Sequence, residues 1–190
     1  MENKLVSYLQ LFTDIPSSDR ELISEAFDVK RFSEGEYLFE SGGICKEMFF
    51  ICSGVLKIIV NNEKGVNVIH YFLKENQFCT ILQSFQSKSV AHENIVAACD
   101  VEVLSITKSH LASLFKKIIY LEKLIDQITQ QRLLDKIQLR NSYLGRDSAE
   151  RYSLFLMQQP DIAMRVSLSD VASYLEITPQ SLSRIRRRQK

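Results

Sequence analysis

The sequence predicts an α+β chain: a short helical start, an antiparallel sheet region over about 31–106, and helices from there on. Three observations carry that expectation. Short β-rich runs recur every eight to twelve residues between turn glycines. A stretch free of Gly and Pro follows at 119–143, with apolar residues at helical spacing. The last 24 residues then hold two short helix patterns separated by a turn. With 190 residues, the chain suits one large domain or two small ones and is long enough for a real core.

Residues 1–30 read as helical. The stretch SSDRELISEAF has Ser and Asp at its head, acids in its first turn, and Leu22, Ile23, Ala26 and Phe27 on one stripe. The strand candidates are EYLF, MFFICS, VLKIIV, VNVIHYFL, ENIVAA and VEVLSI. All six glycines except Gly145 lie in this region, and NNEKG at 61–65 is a hairpin signal between two strands. This texture predicts an antiparallel sandwich or barrel. From Lys108, the residues Leu111, Leu114, Phe115, Ile118, Leu121, Leu124, Ile125 and Ile128 recur at threes and fours. A helix over 119–143 spans roughly 37 Å at 1.5 Å per residue. Its stripe wants cover, from a second copy or from its own fold. Leu144-Gly145-Arg146 ends it, and Asp147 or Ser148 can cap AERYSLFLMQ, which stops before Pro160.

Composition sets the class. Apolar residues at 45% and charged residues at 25% are the mix of a soluble globular protein. The N-terminus has no basic region leading into a long apolar run, and no stretch reaches membrane-span length, so a cytoplasmic protein is expected. Cys45, Cys52, Cys79 and Cys99 form no CxxC pair and read as buried thiols. His70, His92 and His110 share no metal-ligand spacing. No nucleophile elbow, P-loop, dinucleotide fingerprint or zinc motif is present, so an enzyme is not expected.

Net charge is +1 but uneven. Arg184, Arg186, Arg187, Arg188 and Lys190 crowd the last seven positions, leaving residues 1–183 at −4. A neutral protein with a basic end points to an anionic partner. The end is also well specified. Ser167 and Asp170 read as a reciprocal capping box. Ala172, Tyr174 and Leu175 follow, with Val171 on the inner side. Thr178 is a good N-cap and Pro179 an ideal first helical residue. On that last helix Leu182 and Ile185 face inward, while Gln180, Ser181, Arg184, Arg187 and Arg188 share the outer face. Two short helices and a polar second helix match a helix-turn-helix, whose second helix enters the major groove. Gln can pair with adenine and Arg with guanine; further arginines neutralise phosphates. A membrane-surface helix is disfavoured, because Leu182 and Ile185 alone are too little to insert.

With those blocks in view, the chain resembles the Crp/Fnr family of bacterial transcription regulators. The resemblance rests on FSEGEYLFESGG (32–43), FFICSGVLKI (49–58), the NNEKG hairpin, ACDVEVLSI (98–106), AERYSLFL (149–156) and DVASYLEITPQSLSRIRR (170–187), in order over nearly the whole chain. It implies an N-terminal β-roll of double-stranded jelly-roll type at 1–107, a dimerisation helix at 108–143 and a helix-turn-helix domain at 144–190. It implies double-stranded DNA and a second copy as partners, with RNA polymerase a further candidate and no membrane. Thr178, Gln180, Ser181, Arg184, Arg187 and Arg188 are the implied DNA contacts. Glu176 stands where the family usually has a turn glycine, and the residues of the family's β-hairpin wing are not in the sequence, the pattern of a short form.

In cyclic-nucleotide binders of this family a Gly-Glu pair meets the ribose and an Arg-Ser or Arg-Thr pair holds the cyclic phosphate. The corresponding positions here fall near Cys79-Thr80 and His92-Glu93. A carboxylate repels a phosphate, and neutral imidazole does not replace a two-pronged guanidinium. Cyclic AMP is therefore not expected, no cofactor is implied, and the cysteine cluster of iron–sulfur members is missing. The alternative expectation is a ligand-sensing or protein-interaction module that no longer reads DNA.

Overall fold

The computed structural model describes residues 3–61 and 67–188. Helices α1 (Lys4–Leu9) and α2 (Ser17–Ala26) open the chain. Eight strands follow: β1 (Asp28–Phe32), β2 (Tyr37–Phe39), β3 (Glu47–Ser53), β4 (Leu56–Asn61), β5 (Asn67–Leu73), β6 (Phe78–Cys79), β7 (Glu93–Ala97) and β8 (Val101–Thr107), with helix α3 (Leu82–Ser87) between β6 and β7. Helices α4 (Lys108–Lys117), α5 (Ile119–Tyr143), α6 (Ser148–Gln158), α7 (Pro160–Ala163), α8 (Leu168–Tyr174) and α9 (Pro179–Arg188) complete it.

All strand pairings are antiparallel, in two four-stranded sheets ordered β1-β8-β3-β6 and β2-β7-β4-β5. The inward residues of both sheets share one core, with Phe49, Ile51, Leu56, Ile95, Ala97 and Val103 fully enclosed. Central β3 is buried along five consecutive residues, which is why MFFICS is an unbroken apolar run rather than an alternating one. Gly54 makes the β3–β4 reversal possible. Its φ is +92°, and a Cβ there would meet the Asp100 carbonyl oxygen at 2.3 Å. Strands β4 and β5 pair as far as Asn61 and Asn67. Apart from Asn61, the expected NNEKG turn lies outside the described residues.

One expectation is corrected here. The helical start does not reach residue 30: α2 ends at Ala26 and β1 begins at Asp28, pairing with β8 in register Asp28 to Ser105. DVKRF is a largely exposed edge strand, so it carries no apolar alternation to announce itself. Strand β6 and helix α3 were also silent in the sequence, being two and six residues long.

The helical face is continuous with the sheets. Leu5, Leu9 and Ile23 pack with Phe50, Ile106, Leu111, Leu121 and Ile125 in one cluster. Helix α5 covers the predicted 119–143, but its buried residues are only Leu121, Leu124, Ile125 and Ile128. Farther on, Leu133, Leu134 and Ile137 are 46, 53 and 44% exposed. Asp147 caps α6 with a complete capping box to Glu150.

Candidate nucleic-acid interface and sensor cavity

The last two helices are built as their residue types dictate. Ser167 Oγ accepts from the Asp170 N–H at 3.1 Å and starts α8. Thr178 Oγ1 accepts from the Ser181 N–H at 3.1 Å, and Pro179 follows as the first residue of α9. Between them Glu176 adopts φ +55°, the left-handed geometry that the missing glycine would have taken without strain. Val171, Ala172, Leu175 and Leu182 close a small core with Tyr152 and Phe155 of α6.

This arrangement leaves Gln180, Arg184, Arg187 and Arg188 exposed, with Ser181 half-buried. Thr178 and Ser181 satisfy each other, their hydroxyls 3.0 Å apart, and Arg184 lies 3.5 Å from the Ser181 hydroxyl. Among the described residues, none of Arg184, Arg187 and Arg188 pairs with a carboxylate. Their guanidinium donors face solvent, available to an external anion.

The helix pair is not free-standing. Asp170 does not reach back to close the expected capping box. Its carboxylate instead takes Lys57 Nζ of β4 at 2.9 Å on both oxygens. A charged amine within reach in space outcompetes a neutral N–H close in sequence. Ser173 Oγ accepts from the Ile69 N–H of β5 at 3.1 Å. Arg165 grips Glu75 with both guanidinium arms, and Lys74 meets Asp161 at 2.6 Å. Burial raises the Glu75 carboxyl, but Arg165 and two backbone N–H groups outweigh it and hold the group below its usual value. Val55, Ile59, Ile69 and Phe72 join the α6–α8–α9 core. Thr178 and Pro179 thus share a cleft with Val60, Asn67 and Val68. No local pattern could reveal these contacts, since Lys57 and Asp170 are 113 residues apart.

A second site lies between the sheets and α5. A cavity of about 240 Å³ is lined by Tyr71, Cys79, Thr80 and Glu93 on one side and Arg132 and Lys136 on the other. Burial pushes the Cys79 thiol up to about 12, so it stays neutral. Thr80 Oγ1 donates to the Glu47 carbonyl at 2.9 Å. Glu93 is half-buried and accepts the His92 N–H at 3.1 Å. His92 itself is exposed and does not line the cavity, so only three of the four residues expected there come together. Sequence reasoning missed Arg132 and Lys136, which reach the cavity only because α5 lies across the sheets. Elsewhere, Cys45 and Cys52 are buried and Cys99 half-buried. His70 sits half-buried in β5, and His110 is exposed in the first turn of α4. Among the described residues no group of His, Cys, Asp and Glu could hold a metal, and no helix is long and apolar enough to cross a membrane.

Residues 29–118 match the cyclic nucleotide-binding domain family. Over those residues the β region is similar to a cyclic nucleotide-binding domain. Solved structures extend the likeness over the C-terminal helices. The chain is 14% identical to CLP, the c-di-GMP-responsive global regulator of Xanthomonas campestris, covering 92% of this chain and 91% of that one at a TM-score of 0.72. FixK2 of Bradyrhizobium japonicum is 18% identical, with coverage of 85 and 83% and a TM-score of 0.69. A protein of Eubacterium rectale assigned to the Crp/Fnr regulators is 17% identical, with coverage of 95 and 86% and a TM-score of 0.72. The fold is that of the Crp/Fnr regulators. No curated protein matches the sequence.

The cavity occupies the space between strands and long helix, and its wall lacks an arginine from the sheets. Its two cations come from α5 instead. The exposed face of α9 lies beyond the matched domain, on the helices that only the structural likeness covers.

Proposed function

We propose that the chain is a homodimeric, sequence-specific DNA-binding transcription regulator of the Crp/Fnr type. Its units are the sensor at 1–107, a double-stranded jelly-roll, the dimerisation helix at 108–143 and the DNA-binding unit at 144–190. The observation that carries the reading is α9: capped at its start, anchored by Leu182, and bearing Gln180, Arg184, Arg187 and Arg188 outward without carboxylate partners. A helix so presented fits a major groove, with its first turns over base edges and its later arginines at phosphates. Leu133, Leu134 and Ile137 supply the exposed apolar seam that a second copy covers, placing two such helices about 34 Å apart. A reader of chromosomal DNA works in the cytoplasm, and RNA polymerase is its natural further partner.

The test is selection of bound DNA fragments followed by a gel-shift titration. One palindromic motif should emerge, and Arg184→Ala should abolish its recognition while the dimer persists. Arg187→Ala should weaken all sequences alike and flatten the slope of log K against log salt by about 1.8, about 0.9 from each of the two copies. An absence of enriched DNA favours the second reading, a sensing or protein-interaction module. That reading draws on the β4–β5 strands lying beside the start of α9.

A further inference from the structure

Lys136 of α5 projects into the cavity wall, its ammonium 5.2 Å from the centre of the Tyr71 ring. Among the described residues, no carboxylate pairs with it. The titratable group beside it is Cys79, whose thiol is neutral and supplies no charge. Burial accordingly pushes the Lys136 amine below its ordinary value. A half-buried ammonium with only a ring face as its partner is incompletely satisfied. Most of the surrounding wall is apolar: Met48, Ile58, Leu73, Phe78 and Ile81 line it.

The geometry points to a small monoanion with an apolar body, an aryl or short-chain alkyl carboxylate, held in this cavity with its charge on Lys136. The inference rests on the sensor half of the proposed function and gives that sensor a ligand class. Size agrees, because about 240 Å³ lies below the roughly 300–1,000 Å³ of sites for drug-sized ligands. Charge agrees as well. Arg132 is already engaged by Asp135 at 3.6 Å and the Tyr8 hydroxyl at 3.4 Å, leaving Lys136 as the uncommitted cation. Glu93 in the same wall repels any anion, so the ligand's one charge belongs on Lys136 of the helix and not against the sheet. The Thr80 hydroxyl is spent on a carbonyl and the sheet wall offers no guanidinium, so a cyclic nucleotide has no matching phosphate cradle.

The site also has a route to the rest of the molecule. Thr129, Arg132, Leu133 and Lys136 of α5 line the cavity, while Leu133, Leu134 and Ile137 form its exposed stripe. Leu133 belongs to both. A ligand drawing Lys136 inward biases the rotation of the helix that carries the proposed dimer seam.

The experiment is calorimetric titration of the full chain with phenylacetate and hexanoate, each against its neutral amide, and with cyclic AMP. Each acid should bind at least tenfold more tightly than its amide. Lys136→Met should erase that preference while the circular dichroism spectrum and Tm remain those of a folded protein, and Lys136→Arg should restore it. Acids that bind no better than amides, a preference that survives Lys136→Met, or tighter binding of cyclic AMP than of either acid would each overturn the inference. Operator selection is scored separately. Carboxylate preference without DNA recognition sinks the regulator reading alone, and DNA recognition without carboxylate preference sinks this inference alone.

Discussion

Replacing Asp170 by Asn tests what holds the helix-turn-helix to the sheets. The Asp170–Lys57 pair is two-pronged at 2.9 Å, and both side chains are 14% exposed. Removing one partner of a buried pair costs about 3–5 kcal/mol, because the other charge is left without compensation. Residual water access moves this pair to the lower end, about 3 kcal/mol. Asp170 also sits in the first turn of α8, where losing its charge costs about 0.3–1 kcal/mol through the helix dipole. At about 2–4 °C per kcal/mol for a chain of this size, the two losses together, about 3.3–4 kcal/mol, should lower the Tm of Asp170→Asn by roughly 7–16 °C. Lys57→Met should cost a similar amount. The double variant Lys57→Met/Asp170→Leu should recover most of the loss, since two apolar groups leave no orphaned charge. Thermal melts of the parent, Asp170→Leu, Lys57→Met and the double variant close the double-mutant cycle, and the coupling excludes the helix-dipole term. An Asp170→Asn Tm within about 2 °C of the parent, or a double variant as unstable as the two singles summed, would refute the idea that this contact secures the docked arrangement.

Other expectations follow from single positions. Leu134→Glu with Ile137→Glu should turn a dimer into a monomer in analytical ultracentrifugation while the circular dichroism spectrum stays that of a folded chain, since neither side chain is buried in the single chain or lines the cavity. Gly54→Ala should cost more than the about 1–3 kcal/mol of its left-handed backbone, read by urea titration, because the added Cβ also meets the Asp100 carbonyl. His70 lies below its ordinary value, chiefly through burial and then Arg140, with Glu176 and Glu93 pulling the other way. Its neutral form therefore supports the fold fully above about 6.5, and that support fades as pH falls through the depressed value. The Tm of His70→Asn should accordingly vary less between pH 7.5 and 5.5 than that of the parent; equal slopes would count against it.

What the residues alone determined is the local grammar. The strands EYLF, MFFICS, VLKIIV, VNVIHYFL, ENIVAA and VEVLSI, the helix at 119–143 and the caps at Asp147, Ser167 and Thr178 each follow from spacing and side-chain chemistry within a few positions. The left-handed backbone at Glu176 was not among these: only the resemblance, with its usual turn glycine, pointed to that position. Only the tertiary structure decided where charges find partners. Asp170 turned to Lys57, His92 stayed outside the cavity, and Lys136 came to rest over Tyr71. The physical reason is range. A hydrogen-bonded cap is settled within one turn of helix, whereas an ion pair or a cavity wall is settled by which elements lie side by side, and that depends on the shared core of the whole chain.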